Sequence, residues 1–172
     1  MKKILTLLVA VVVAAGTVSA KEYKHSLGMY GGLGIGVQYK TMVKDNFTII
    51  VEEGYAFCPS RTANVGGYQA LNTNCVLAYQ TNSLAEGQGI NLSLYAGGQA
   101  KLGYVFDDAY LFGVGAAVGI EANMTNAPIA FSFDFRPGYG CELFDNKPFG
   151  GTGVTVGHIF DYSLNLGVRY TF

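Results

Sequence analysis

The 172-residue chain contains no tryptophan, only three cysteines and only four prolines, and just 13 % of its residues are charged. Soluble domains carry about a quarter of their residues as charged side chains, so an ordinary solvated exterior is not expected. The formal net charge of −1 argues against a nucleic-acid partner, which would require basic clusters. After residue 20, no apolar run reaches the roughly 20 residues that a membrane-spanning helix needs. The apolar half of the composition must therefore be held by another kind of structure.

The first 20 residues have the three parts of a secretory signal peptide. Lys2 and Lys3 precede an apolar run that begins at Ile4, and small residues end the segment at Ala20. We expect cleavage before Lys21, which leaves one mature domain of residues 21–172. A membrane anchor is the alternative, but the run is too short to cross a hydrocarbon core of about 30 Å.

The cysteines of an exported protein bear on disulfides and metals. Three cysteines allow at most one disulfide, and Cys58 and Cys75, which bracket the most loop-like stretch, are the predicted pair. Cys141 is then the remaining thiol. No group of histidine, cysteine and carboxylate residues has the spacing of metal ligands, so neither a metal nor a cofactor is expected.

The mature sequence alternates between apolar residues and small or polar residues, which predicts β-strands almost throughout. Phe131, Phe133 and Phe135, for example, are separated by Ser132 and Asp134. Residues 145–161 are interpreted as a long connection, with a further strand pair as the alternative. The predicted strands lie near residues 24–30, 33–42, 47–57, 73–81, 90–106, 110–124, 129–143 and 162–172.

The polar face of these strands is poor in charge and rich in glycine. The exposed face of a β-sandwich would be rich in charge, whereas small residues suit a crowded interior. Apolar residues outside and small or polar residues inside are typical of a transmembrane β-barrel. With a turn at Gly31 and Gly32, the strands number eight. We therefore predict an all-β fold, an eight-stranded antiparallel up-and-down transmembrane β-barrel, with its long connections at one end.

The inward phase places six charged residues in the interior of the barrel. Isolated buried charges are costly, so these residues are expected to neutralise one another in a hydrogen-bonded network. Eight strands leave a lumen that side chains just fill, which favours a closed interior over an ion pathway. Glu53 has the outward phase and is expected near a membrane boundary or after a bulge at Gly54. The six inward residues are Glu52, Lys101, Glu121, Asp134, Arg136 and Arg169.

Two glycine patterns imitate phosphate-binding loops. One begins at Gly113 and ends at Gly119, and the other begins at Gly151 and ends at Gly157. A dinucleotide-binding loop leads from a strand into a helix, and neither pattern is followed by a helical periodicity. The first pattern lies on the inward face of one strand, where glycine is expected to make room for bulky neighbours.

A hydrolase would need a nucleophile, a base and a carboxylate at one place. His158 could combine with Asp161 or Ser163, whereas His25 is expected at the opposite end of the barrel. Such a group of polar residues is common in loops by coincidence. We therefore do not expect an enzyme, and a lipid-acting enzyme stays an alternative.

The segment APIAFSFDFRPGYG, followed by FDYSLNLGVRYTF at the C-terminus, resembles small outer-membrane β-barrel proteins of Gram-negative bacteria, in particular the OmpX/OmpA-like eight-stranded group. LYAGGQAKLGY and GVGAAVGIEANM are similar to the central hairpin of that family. The resemblance implies outer-membrane localisation, contact with membrane lipid, and insertion by the barrel-assembly machinery, which recognises the last strand. It implies no enzyme activity. The assembly signal would comprise Leu164, Leu166, Val168, Tyr170 and Phe172.

These observations lead to a structural or surface-interaction protein of the outer membrane. Its contacts with external partners are expected through residues 59–72 and 145–159, and we expect a monomer. A narrow porin-like channel for small solutes is the alternative. A soluble secreted β-protein is a further hypothesis that would also explain the alternation of apolar and polar residues.

Overall fold

The computed structural model describes residues 23–44, 46–57, 70–87, 89–106, 109–145 and 154–172. The predicted signal peptide and Cys58 lie outside the described residues. The described part contains β1 (His25–Gly31), β2 (Gly34–Lys44), β3 (Phe47–Ala56), β4 (Ala70–Gln80), β5 (Ala85–Gly87), β6 (Ile90–Val105), β7 (Ala109–Met124), β8 (Ile129–Asp145) and β9 (Val154–Thr171).

Eight of these strands form a closed antiparallel barrel. Successive strands pair along the chain, β4 pairs with β6, and β9 returns to pair with β1. The three-residue β5 pairs with the beginning of β6 and adds no strand to the barrel wall. The predicted all-β, eight-stranded antiparallel up-and-down barrel is therefore confirmed.

The pairing register shows how strongly the strands tilt. Continuous pairing leads from Met29 of β1 around the barrel to His158 of β9, whereas β1 itself pairs Met29 with Val168. The two β9 residues lie ten positions apart. For eight strands, this stagger corresponds to a tilt of roughly 40° and a backbone radius of about 8 Å. Side chains fill a barrel of that width. The inward residues therefore determine whether the interior is packed or leaves room for a solute.

β1 and β9 pair along the length of β1, and His25 and Phe172 pair at one end of the barrel. We call it the terminal end and the opposite end the far end. The strand ends that flank the two long connections, Ala56 with Ala70 and Asp145 with Val154, lie at the far end, where the long connections are predicted. β1 and β2 are also joined there, through Gly32 and Leu33. The turn lies one residue later than expected because Gly31 still pairs with Ile35.

The last strand is longer than the sequence analysis predicts. Residues 154–161 form the first half of β9 and pair with residues 138–145 of β8. Both readings of residues 145–161, as a connection and as a separate strand pair, are therefore wrong for this part. The alternation of Val154, Thr155 and Val156 continues the ladder, and the glycines before it obscure this pattern. β4 also begins three residues earlier than predicted, at Ala70.

Side chains along the barrel wall alternate between an apolar outer surface and a small or polar interior. On β8, Phe131, Phe133 and Phe135 are 42–46 % exposed, whereas Ser132 and Asp134 are buried. The outer surface of the described chain therefore carries most of the large apolar side chains. Most polar side chains lie inside, where Ile50, Val76 and Tyr95 form a small buried cluster beside them.

Glu53 lies on the outer surface, as the alternation of residues along β3 predicts. The register between β2 and β3 is continuous through Gly54, so the bulge expected there is wrong. The irregularity lies instead between Met42 and Lys44, close to the terminal end. Thr73 Oγ1 donates a hydrogen bond of 2.5 Å to Glu53 Oε2 across the β3–β4 pair.

Candidate functional site

The interior of the barrel brings together most of the inward charges expected from the sequence. Glu52, Glu121, Asp134, Arg136 and Arg169 are each at most 3 % exposed. Lys101 lies half-buried, farther toward the far end of β6. The five buried residues belong to two clusters that share no salt bridge.

The first cluster lies near the terminal end and is centred on Glu121 of β7. Lys40 Nζ lies 2.6 Å from Glu121 Oε2, and Arg169 Nη2 contacts the same oxygen. Gln80 Nε2 donates a hydrogen bond of 3.1 Å to Glu121 Oε1, and the Tyr23 hydroxyl donates to it as well. One carboxylate thus accepts from groups on β2, β4 and β9 and from the segment before β1.

Arg169 also connects this cluster to the neighbouring strands. Its Nη1 donates to Gln38 Oε1 at 2.8 Å and to Ser132 Oγ at 3.1 Å. Gln38 Nε2 in turn donates to the backbone oxygen of Met29 at 3.1 Å. The guanidinium therefore bridges side chains of β2, β7 and β8 across the lumen.

The second cluster lies nearer the far end and is centred on Arg136 of β8. Its guanidinium binds Glu52 through both terminal nitrogens, with Nη2 donating to Oε1 at 2.8 Å. Nη2 also donates to Asp134 Oδ2 at 2.9 Å. Asn165 Nδ2 donates to Asp134 Oδ1 at 3.0 Å. A bidentate arginine–carboxylate pair is among the strongest and most directional polar contacts in proteins.

Tyr95 of β6 lies between the two clusters. Its hydroxyl donates a hydrogen bond of 2.6 Å to Asp134 Oδ2, and its ring centroid is 5.6 Å from Lys40 Nζ. The first cluster holds two cations and one anion, and the second holds one cation and two anions. The two excess charges cancel, which satisfies the requirement that buried charges be paired.

Several members of this network escape the sequence analysis, among them Lys40 and Tyr23. Lys40 is fully buried, and Tyr23 is 6 % exposed although it precedes the first strand. Lys40 could have been found, because Gln38 and Lys40 alternate with Val37 and Tyr39 along β2. Tyr23 has no such signal, since its position depends on how the chain enters the barrel.

Tyr23 is buried at the terminal end of the barrel, against Glu121 and Lys40. Burial, followed by the nearby Glu121 carboxylate, raises the pKa of Tyr23 well above its usual value near 10. The phenol therefore keeps its proton and remains the donor to Glu121. Its ring also lies beside Lys40, with 5.7 Å from Nζ to the ring centroid.

The C-terminal residues expected to form an assembly signal lie on the outer surface of β9. Leu164, Leu166, Val168 and Phe172 are exposed, and Tyr170 is half-buried among its neighbours. Phe172 is paired to His25 through the backbone. The stripe therefore continues to the last residue of the chain.

The remaining candidate groups, the cysteine pair and the residues around His158, lie partly outside the described residues. Cys75 and Cys141 face outward from β4 and β8, and the predicted pairing of Cys75 with Cys58 stays a prediction because Cys58 lies outside the described residues. The side chains of His158 and Asp161 are likewise outside the described part. Ser163 Oγ accepts a hydrogen bond of 3.2 Å from Asn165 Nδ2.

Two groups of aromatic side chains with neighbouring rings lie on the outer surface, and we call them the far belt and the terminal belt. In the far belt, the rings of Tyr55 and Phe57 lie 4.9 Å apart. In the terminal belt, the rings of Phe47 and Tyr79 lie 5.7 Å apart. The far belt comprises Tyr55, Phe57, Tyr104, Phe106 and Tyr110, and the terminal belt comprises His25, Tyr39, Phe47, Tyr79, Tyr170 and Phe172.

In the part of the chain that the structure describes, no helix is long and apolar enough to span a bilayer. Comparison with known proteins adds no family assignment. No family model matches the chain, and no curated protein sequence matches it.

Proposed function

We propose that this chain is an integral outer-membrane barrel with a side-chain-filled lumen and a structural or surface-interaction role. The observation that carries the proposal is an apolar outer surface bounded by two aromatic belts. Large apolar patches on a protein surface mark contact with a membrane or another protein. Aromatic belts at both boundaries are typical of membrane barrels.

The spacing of the belts fits a bilayer. Phe47 of the terminal belt and Tyr55 of the far belt are eight residues apart on β3. That separation is about 26 Å along the strand, or about 20 Å along the barrel axis at a tilt of roughly 40°. The apolar band of outer-membrane barrels is about 25 Å tall. The two lengths are close enough for the belts to lie at the two membrane surfaces.

The charged interior supports a closed lumen rather than a pore. The two charge clusters and Tyr23 occupy the lumen from the terminal end to the level of Arg136, near the middle of β8, with buried, hydrogen-bonded side chains. Opening a path through them would separate buried ion pairs, which costs several kcal/mol. The narrow porin-like channel therefore remains the second candidate function.

Interaction with external partners would use the far end. This end carries the connections within residues 59–72 and 145–159, and β8 and β9 extend farther there than β1 and β2. We also propose that the chain belongs to the OmpX/OmpA-like group and that its first 20 residues are a cleaved signal peptide. The barrel-assembly machinery would recognise its last strand. The proposal assigns no catalytic role to His158, Asp161 or Ser163.

The first test combines fractionation with electrophysiology. We expect the mature chain in the outer-membrane fraction after an alkaline wash, and we expect purified protein to leave planar bilayers at their leak level. Discrete single-channel currents would favour the channel, and Arg136→Ala would then increase them. Recovery of the chain from the periplasm without detergent would contradict the membrane barrel itself.

A further inference from the structure

We propose that the lumen contains, beyond the buried clusters, a blind chamber that binds a small uncharged molecule rich in hydroxyl groups, such as a monosaccharide. The buried clusters reach from the terminal end to Arg136 of β8. We call the space between the levels of Arg136 and Glu142 the far chamber. Binding there goes beyond the structural role proposed above, and it requires only the closed barrel.

Four inward glycines on β7 and β8 leave one wall of the far chamber without side chains. Gly113 pairs with Gly140, and Gly115 pairs with Gly138. A Cβ atom added at Gly113 would lie 3.6 Å or more from its nearest neighbours, so this part of the wall has room. Inward side chains normally fill a barrel of eight strands. Successive glycines on two paired strands therefore leave a gap in the filling.

The exposure of inward residues rises at this level of the barrel and falls again beyond it. Arg136 and Glu142 are at most 2 % exposed, whereas Gly138 and Gly140 between them are half-buried. Lys101, inward on β6 at the same level, is half-buried as well. The six residues from Arg136 to Glu142 span about 20 Å along the strand, or about 15 Å along the axis at a tilt of roughly 40°. This length accommodates a molecule the size of a monosaccharide.

Two inward asparagines of β4 carry oxygen atoms without a hydrogen-bond donor. Asn72 is 5 % exposed, and its Oδ1 has no partner in the described structure. The Oδ1 of Asn74, the next inward residue, has none either. A Cβ atom added to Gly103 of β6 would collide with Asn72 Oδ1, so this oxygen leans over β6 toward β7. Because a buried acceptor without a donor is costly, the two oxygens favour a ligand that donates hydrogen bonds.

The charges around the far chamber favour an uncharged donor. Lys101 lies beside the glycine wall, with its Cβ atom 3.7 Å from the position of a Cβ atom at Gly113. Its ammonium group disfavours a bound cation. The asparagine oxygens and the Glu52 carboxylate at the floor disfavour a bound anion. A hydroxyl group donates a hydrogen bond without adding charge.

The wall opposite the four glycines is covered by Tyr30. A Cβ atom at Gly36 would collide with the ring of Tyr30, and one at Gly54 would collide with its hydroxyl. β2 and β3, which carry these glycines, lie across the barrel from β7 and β8. The chamber thus has an aromatic ring on one side, a backbone wall on the other and amide groups between them. Ligand pockets typically combine aromatic walls with a few placed polar groups.

The test measures binding to the full-length protein in detergent micelles by NMR, through the backbone amide signals of Gly113 and Gly138. The probes are D-glucose, protonated D-glucosamine and D-gluconate, which are similar in size and differ in charge. We expect D-glucose to shift both signals saturably, with a Kd of about 1–10 mM. Each charged probe should bind at least about tenfold more weakly.

Two variants alter the chamber, and one leaves it intact. Asn72→Leu removes the buried acceptor, and Gly113→Val places a side chain in the gap, so each should weaken D-glucose binding at least about tenfold. Gly98→Val is the matched control on the outer surface, where an added Cβ atom would meet only a backbone oxygen, at 3.8 Å. It should bind as the parent does. Each variant is first checked for migration as a folded barrel on unheated gels, and Asn72→Leu decides alone if Gly113→Val does not fold.

The absence of a saturable shift with D-glucose in the folded parent would overturn the chamber as a binding site and leave water as its occupant. An unchanged affinity in folded Asn72→Leu would overturn it as well. So would tighter binding of either charged probe. None of these results would contradict the membrane barrel, because the folded state is verified separately on the unheated gels.

Discussion

His25 and Phe172 exchange two backbone hydrogen bonds, from His25 N to Phe172 O at 3.0 Å and from Phe172 N to His25 O at 2.8 Å. Their rings also lie 6.0 Å apart. The barrel therefore closes at the last residue of the chain. Phe172 belongs to the wall, and its ring belongs to the terminal belt.

Deleting Phe172 should impair assembly more than it impairs stability. The folded barrel loses two backbone hydrogen bonds, each contributing about 1 kcal/mol, whereas the assembly machinery loses the end of its proposed signal. We expect a large drop in outer-membrane protein and a small shift of the urea midpoint in detergent. Phe172→Leu, which keeps the backbone bonds, separates the two effects. Equal membrane levels of truncated and parent chains would refute the proposed signal.

Arg136→Met should destabilise the barrel by about 3–5 kcal/mol, because Glu52 and Asp134 would stay buried without a counter-charge. Urea unfolding in detergent micelles measures the loss. The double variant Glu52→Gln/Arg136→Met should lose less than the sum of the single changes, since it removes one carboxylate together with its partner. A loss below about 1 kcal/mol for Arg136→Met would argue against a paired interior.

Tyr23→Phe removes one hydrogen-bond donor from Glu121 and keeps the ring. We expect a loss of about 1–3 kcal/mol in the free energy of unfolding, because the partner oxygen is buried. Tyr39→Phe is the matched control, since the Tyr39 hydroxyl meets His25 Nδ1 at 2.8 Å on the outer surface. If both variants unfold at the same urea concentration, the hydrogen bond from Tyr23 to Glu121 does not stabilise the barrel.

Substitution by alanine should lower the stability of the barrel at one inward glycine of β7 and leave it nearly unchanged at another. A Cβ atom at Gly119 would collide with the Tyr95 ring, whereas one at Gly113 would lie 3.6 Å or more from its nearest neighbours. Gly119→Ala should therefore cost about 1–3 kcal/mol through overpacking, and Gly113→Ala should change stability by about 0.5 kcal/mol or less. Thermal unfolding of the two variants compares them, and the opposite order would contradict the observed packing of Tyr95.

The alternation of apolar and polar residues predicts most of the fold, because successive side chains of a β-strand point to opposite faces of the barrel wall. Phe131, Phe133 and Phe135 could be placed outside, and Asp134 inside, without knowing any neighbour. Strand ends are harder to predict. Val154 follows a glycine-rich segment without alternation, so the start of β9 is recognised only from its pairing with β8.

The partners of the interior charges could not be predicted from alternation. Arg136 contacts Glu52 because β8 lies across the lumen from β3. The pairing register places the two residues at the same level along the barrel axis. That relation depends on a stagger of ten residues summed over all the strand pairs. Alternation states only which face a residue occupies, so it could not predict the two clusters or their cancelling charges.

The most direct test of a membrane-embedded barrel is gel migration of the outer-membrane protein before and after boiling in SDS. A closed barrel keeps its ladder of hydrogen bonds in cold detergent and runs as a compact species, so we predict a clear mobility shift on heating. Arg136→Met should lower the temperature at which the shift occurs. Identical migration of heated and unheated samples from the outer membrane would contradict the account.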